Sequence, residues 1–432
     1  MSAFNLAQVQ QAQRVYLEGI WDAYQKTPDL WKQFEKMPRV DTNSKGRQIT
    51  LETDPNPSLG FTGGNGQDLA TTGSTNLQDL LVTYVWMNSG MEQTYMAMLN
   101  NNKETIDDPL AKYAKSSAEQ FAQWQNIYAS RGDGTTALAT SSAAYNGGAP
   151  TVFVANGSTD TIGATQVAVG QMGWIYDSTG TTKRTAGNSN ILEIATKSGT
   201  QFTVTATIPT SMIAGDIFVP ENASGITTGP KGLPYIVADD NDYFNLDRAT
   251  VEQVRSTVVS EGGSMSATGL FQTWAQVQQK GGRMDRKYAS NGLKMVTNIT
   301  QYGAYNALTV ANTQNHLFMN TNAGAPKADI GADNLQFTWF NCPIEWYYQI
   351  NGDAVYFLYM DLFKVAELKA AGPLKMPAGD WMQALTGSTS TYRTAEQRWM
   401  DAAYDVYSPQ PFMLGVYNDL AIDGLPTQKG TY

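Results

Sequence analysis

Cysteine and histidine are almost missing: Cys342 and His316 are the only ones in 432 residues. A single thiol excludes an internal disulfide framework, and a single imidazole excludes the usual Cys/His zinc clusters. The same scarcity removes a hydrolase triad, because there is no G-x-S-x-G motif and His316 is the only imidazole base. No run of about 18 apolar residues is present to cross a bilayer. The opening MSAFNLAQVQQAQ has neither the basic start nor the apolar core of a secretory signal, so a reducing interior is expected. Basic charge is short too. With 29 Lys and Arg against 39 Asp and Glu, the formal net charge is -10, which argues against tight reading of nucleic acid by the whole surface. What remains is 42% hydrophobic and 11% aromatic, enough core for about two to four domains or subdomains.

The chain is organised around Asp107 to Thr135, which predicts one long helix. Asp107 or Asp108 caps its start, and Pro109 suits the first helical position, where a missing N–H costs nothing. Leu110, Tyr113, Ser117, Phe121, Trp124 and Tyr128 recur at three- and four-residue steps and form one aromatic-rich stripe. Gly132 is expected to end the helix in a left-handed conformation, with Asp133-Gly134 turning the chain. Such a helix spans about 35 Å at 1.5 Å per residue, a beam for whatever packs on it.

Before the beam, residues 1–38 read as a helical arm, with Leu30, Trp31 and Phe34 inward. Residues 39–90 read as a long hairpin: strands at Arg47 to Thr53 and Leu77 to Met87 flank a loop crowded with Gly, Pro, Asn and Thr. Loops of this length are either disordered or functional. Met91 to Asn101 is expected to lead helically into the beam. After it, residues 147–225 are rich in Thr, Gly, Ala and Ser, and predict an inserted all-β module, sandwich or barrel. Its strands fall near residues 152–154, 166–169, 173–176, 191–195, 202–206 and 217–219, and Trp174 is its expected core aromatic. Beyond Pro230, helices are expected over Asp247 to Glu261 and Thr268 to Lys280, each stopped by a glycine pair. Leu335 to Met360 reads as two aromatic strands around an Asn351-Gly352 turn, and PFMLGVYNDLAI near the end as a strand.

No catalytic residue, cofactor or metal site stands out. Asp239, Asp240, Asp242 and Asp247 lack the glycine and terminal glutamate of an EF-hand. The basic run Lys280, Arg283, Arg286, Lys287 and Lys294 could touch phosphates, but is as well explained by pairing with that acidic cluster on a neighbouring copy. Trp339, Trp346 and Tyr347 could stack on sugars, although strand aromatics usually serve the core.

The order of these elements resembles the major capsid proteins of tailed bacteriophages, with the Hong Kong 97-like shell fold. Gly132-Asp133-Gly134-Thr135 is similar to the sequence that follows the spine helix in that family. GDAVYFLYMD at 352–361 and SPQPFMLGVYNDL near the end are similar to its late strands. The resemblance implies an α+β fold in seven parts: N-terminal arm 1–38, extended hairpin 39–90, peripheral domain with the spine helix 91–146, inserted β domain 147–225, axial domain 226–334, peripheral strands 335–375, and a second axial part 376–432. It implies no enzyme but a subunit that assembles into pentamers and hexamers of an icosahedral shell around double-stranded DNA. Its expected partners are scaffolding, portal and decoration proteins, with only non-specific DNA contact and no membrane. Assembly takes place in the host cytoplasm and the product is the virion. The hairpin tip, with Pro57, Leu59, Phe61, Asp68 and Leu69, is then an assembly contact. No Lys occurs from Gly46 to Asn102, so the hairpin cannot supply the amine that welds some shells of this family. The hairpin comes after only about 40 residues, so a separate scaffolding protein is expected. Two other classes share parts of the pattern: a phage tail or glycan-binding structural protein, and a carbohydrate-active enzyme.

Overall fold

The computed structural model describes residues 30–37, 46–54, 76–94, 109–156, 163, 166–199, 201–221, 229–284, 292–305, 308, 338–339, 342–373, 382–385 and 392–421. The run VYFLY at Val355–Tyr359 is buried on both faces, as a β-branched and aromatic segment inside a layered sheet should be. It lies in a six-stranded sheet whose order is Thr257–Gly263, Gly415–Leu420, Val355–Tyr359, Leu293–Thr297, Cys342–Trp346 and Thr338–Trp339. The expected hairpin about Asn351-Gly352 is absent from it. Leu293–Thr297 lies between the two strands, antiparallel to Val355–Tyr359 and parallel to Cys342–Trp346, and residues 347–354 step across it. A two-residue turn joins only adjacent strands, so this longer connection permits the insertion.

The helix Ala267–Met284 covers one face of this sheet. Ser266 caps it, its Oγ accepting from the Gly269 N–H at 3.0 Å. Gly269 meets the Tyr417 ring and Gly415 meets Val277, so the contact is closest where two residues have no side chain. The helix runs through Gly281-Gly282 instead of stopping there. The other expected helix, Asp247 to Glu261, is instead a 3-10 turn at Glu252–Val254 and the strand Thr257–Gly263. Its valines fall at helical steps, but β-branched TVVS pairs in parallel with Gly415–Asn418, and sheet pairing overrides the spacing.

A second sheet has the 16-residue strand Tyr392–Tyr407 at its centre. Val85–Thr94 pairs along one edge, Lys364–Pro373 and Met382–Leu385 along the other, and Glu35–Lys36 adds in parallel outside Lys364–Pro373. Met91–Thr94 is therefore strand and not a helical lead-in. Leu30, Trp31 and Phe34 are buried as expected, but in a 3-10 turn and short strand that dock on this chain's own sheet instead of extending away from the body. Trp31 packs edge-on to Tyr404 at 4.8 Å, and Phe34 stacks on Phe363 at 5.1 Å. The chain passes from the first sheet to this one at Met360–Phe363 and returns at Ser408–Leu414. Strand membership thus departs from the split expected at 335–375 and 376–432: 342–359 belongs with 257–297 and 415–420, while 364–407 belongs with 85–94.

The hairpin is present as a two-stranded sheet, Arg47–Asp54 against Asn76–Val82, with Arg47 opposite Val82. Its second strand stops at Val82, and Val85 begins a separate one. The tip residues Pro57, Leu59, Phe61, Asp68 and Leu69 lie outside the described residues, as does most of the N-terminal arm.

The Thr/Gly-rich segment forms a second six-stranded antiparallel sheet. Its order is Ala139–Thr140, Ile217–Pro220, Met172–Tyr176, Leu192–Ser198, Gln201–Val204 and Val152–Val154. A bridge between Ser141 and Ala155, with Ser142 N–H donating to Val154 O at 2.8 Å, joins its first and last strands. The sheet closes on itself and is a barrel. Closure leaves no open edge, which suits short strands with little charge to guard them. Its strands begin at Ala139, before the expected boundary, and Gln166 to Val169 is turn rather than strand. Phe153, Phe202 and Phe218 fill the interior with ring centroids 4.8–6.0 Å apart. Trp174 is not the core aromatic; it is half-buried, with the Lys183 ammonium over its ring. Among the described residues no helix is long and apolar enough to cross a membrane.

Phe218 is fully buried, so Phe218→Ala should cost about 3–5 kcal/mol in the barrel's unfolding. Urea titration followed by tryptophan fluorescence would measure it, and a change below about 1 kcal/mol would contradict this packing.

Candidate functional site

The long helix, Pro109–Arg131, starts and stops where the sequence predicts, but its stripe serves two cores. Phe121 and Ala129 enter the main core, whereas Ile127 and Tyr128 enter the barrel core with Trp124 against them. Leu110 and Tyr113 fall in the helix where only the backbone is described. Buried Asn126 accepts the Trp31 N–H at 3.1 Å and so fastens the N-terminal segment to the helix. Arg131 donates to the carbonyls of Gln349 and Ile350, tying the last turn to the first sheet; burial lowers its pKa to about 10.

Gly132 is needed for a different reason from the one expected. It is not left-handed; Gly134 is, at φ +86°. A Cβ on Gly132 would overlap the carbonyls of Tyr128 and Pro230. Two passes of the chain cross here, 132–135 leaving for the barrel and 229–232 returning from it. Gly229 N–H donates to Gly134 O at 3.0 Å, and Gly232 N–H to Gly132 O at 2.9 Å. Cβ atoms on Gly229 and Gly232 would also overlap backbone. Asp133 shapes the outgoing pass, its Oδ1 accepting from Thr135 N at 2.8 Å and Thr135 Oγ1 at 2.6 Å.

Asp405, fully buried in the Tyr392–Tyr407 strand, anchors this neck. Its Oδ1 accepts the Lys231 N–H and its Oδ2 the Lys231 ammonium, both at 2.9 Å. Burial raises the Asp405 carboxyl to about 6, against the pull of Lys231 and of hydrogen bonds from Lys231 and Val406. The Lys231 ammonium also lies 4.6 Å over the Phe244 ring.

Beside the neck, the acidic segment wraps a buried cation. Arg248 donates to the carbonyls of Val254 at 3.0 Å and Asp240 at 2.8 Å, and lies 5.0 Å over the Tyr243 ring. Burial lowers its pKa. Asp242 and Asp247 face each other in the short hairpin Asp242–Tyr243 with Leu246–Asp247. Lys280, first of the basic run, has attractive charges in Glu252 and Asp239 of its own chain, while burial lowers its pKa. Arg283 falls where only the backbone is described, and Arg286 and Lys287 lie outside the described residues.

Sequence reasoning missed Lys231, Asp405 and Arg248. A lone acid in the apolar strand AAYDVY and an arginine closing an acidic run were the available signals. Cys342 is buried, donates to Leu293 O, and has its thiol pushed up to about 12 by burial. Among the described residues no three of His, Cys, Asp or Glu are grouped to hold a metal. Tyr347 is buried with its hydroxyl on Glu345 at 2.7 Å, so it presents no face to a sugar.

Two measurements test the neck. Asp405→Ala leaves the Lys231 ammonium without its buried partner and should cost about 3–5 kcal/mol, read from denaturant midpoints. The folded carboxyl titrates near 6 against an ordinary 3.8, so the folded state binds the proton more tightly. Its contribution is therefore full below pH 3.8 and lost as pH rises through about 6. Relative to Asp405→Asn, the wild type should lose about 2 kcal/mol between about pH 4 and about pH 7; parallel slopes for the two proteins would refute it.

No protein-family model matches the sequence, and no curated protein matches it. Among solved structures, a chain of the cyanophage A-1(L) capsid asymmetric unit is similar at a TM-score of 0.51 and 10% identity, covering 91% of this chain and 93% of that one. The capsid of the native GTA particle is similar at 0.44 and 8%, covering 91% of each chain, and a chain of Gordonia phage Cozz at 0.41 and 9%, covering 94% and 95%. The first likeness is one of fold: over nearly their whole lengths, this chain and the cyanophage capsid chain share an architecture.

Proposed function

We propose that this chain is the major capsid protein of a tailed bacteriophage, with a Hong Kong 97-like fold, which assembles into an icosahedral shell enclosing double-stranded DNA. The carrying observation is the fold shared with the cyanophage capsid chain across nearly the full length of both. The element order read from the sequence supports the same reading. In this reading the peripheral domain is the long helix on the sheet of 85–94 and 364–407. The axial domain is the sheet of 257–297, 342–359 and 415–420 with its covering helix, and its packing around five- and six-fold axes makes pentamers and hexamers. The barrel is an inserted domain on the outer face, open to a neighbour or a decoration protein. The part of the arm ahead of its docked end at 30–37, and the hairpin 47–82 with Pro57, Leu59, Phe61, Asp68 and Leu69 at the tip, reach onto adjacent subunits. Asp239, Asp240 and Asp242 pair there with Arg283, Arg286 and Lys287 of another copy. The role is structural and not enzymatic. Scaffolding and portal proteins complete assembly in the host cytoplasm, and DNA contact is non-specific and weak, since a net charge of -10 disfavours tight phosphate binding.

Negative-stain electron microscopy of the overexpressed protein, with and without its neighbouring phage genes, should show shells or capsomer rings. A uniform monomer under every condition would end the capsid reading. Deleting Pro57 to Thr72 should leave a soluble, folded subunit that forms no shells; normal shells from it would remove the hairpin from the mechanism. With no Lys from Gly46 to Asn102, purified shells should dissociate to monomer on denaturing gels, and a covalent ladder would contradict that expectation.

A further inference from the structure

The turn of the Asp242–Asp247 hairpin is strained. Phe244, its first central residue, sits at φ +56°, where glycine is the normal occupant and a bulky side chain is an outlier. Surroundings hold it there: Phe244 N–H donates to the Tyr235 hydroxyl at 2.6 Å, and its ring packs edge-on to Tyr243 and Tyr235 at 5.0 and 5.5 Å. Strain retained in an over-determined turn points to what the turn presents. It presents Asn245. The Asn245 Oδ1 accepts the Leu81 N–H and its Nδ2 donates to Asp79 O, both at 2.7 Å. Those two groups flank Leu80 on the edge of Asn76–Val82 that faces away from Arg47–Asp54. A residue of a parallel neighbouring strand would take the same two groups, so the Asn245 side chain stands in for a third strand.

An isolated two-stranded hairpin is marginal in water, and its direction relative to the body is not determined by its own ladder. Leu80 and Val82 seat one face on the main core. Asn245, joined at two points along the strand, resists rotation about the strand axis. The contacts are exposed, so they contribute more to direction than to stability. We propose that Asn245 is the positioning residue that sets the direction of the hairpin 47–82, and through it the angle at which neighbouring subunits meet. The second clause rests on the capsid reading; the first does not.

The test compares wild type, Asn245→Ala and Asn245→Asp by amide hydrogen exchange over residues 76–82, denaturant unfolding and electron microscopy of assemblies. In Asn245→Ala, exchange at Leu81 should rise roughly tenfold, as expected for losing a hydrogen bond of about 1.4 kcal/mol, with no larger loss in global unfolding. Assemblies should spread in diameter or fail to close. Asn245→Asp keeps the acceptor for Leu81 and loses the donor to Asp79, so its exchange and diameters should fall between the two. Unchanged exchange at 76–82 in both variants overturns the positioning role. Wild-type shells matched in diameter by Asn245→Ala shells overturn its effect on curvature. Wild type that never assembles overturns the capsid reading, and the exchange arm still decides the positioning role.

Discussion

The buried pair of Lys231 and Asp405 is the constraint on which the arrangement depends. Desolvating a carboxylate and an ammonium costs several kcal/mol, so the pair is a poor source of stability. It is a good source of position. Asp405 sits in the central strand of one sheet, Lys231 sits on the return pass from the barrel, and each needs the other once it has left water. The glycines around them allow backbone to cross backbone at the same point, so the two chain passes into the barrel meet at one narrow neck.

The long helix carries that geometry outward. Because Phe121 faces one core and Ile127 and Tyr128 another, the helix cannot turn about its axis without opening both. Met87, on the strand that follows the hairpin, packs against both cores as well. Barrel, helix and hairpin base are thereby held in one frame.

Much of this was legible in the residues. Pro109 and the stripe to Tyr128 marked the helix because cap chemistry and 3.6-residue periodicity are local. The hairpin strands, the burial of Leu30, Trp31 and Phe34, and five of the barrel strands were legible on the same grounds. The errors were non-local. Val251, Val254 and Val258 mimic a helix until Gly415–Leu420 offers a partner, and Asn351-Gly352 mimics a hairpin until Leu293–Thr297 enters between its strands. Of the neck, only Gly132 to Thr135 was visible, because Asp405 and Lys231 are 174 residues apart.

By itself the sequence determined the long helix, the two hairpin strands and most of the barrel strands, and excluded a disulfide framework and a Cys/His zinc site. Those properties depend on composition and on neighbours a few residues away. Only the tertiary structure decided how strands far apart in sequence pair, that the Thr/Gly-rich segment closes into a barrel, and that Gly132 is required for close approach instead of handedness. Strand partnership and burial are properties of chain segments far apart in sequence, and no local pattern encodes them.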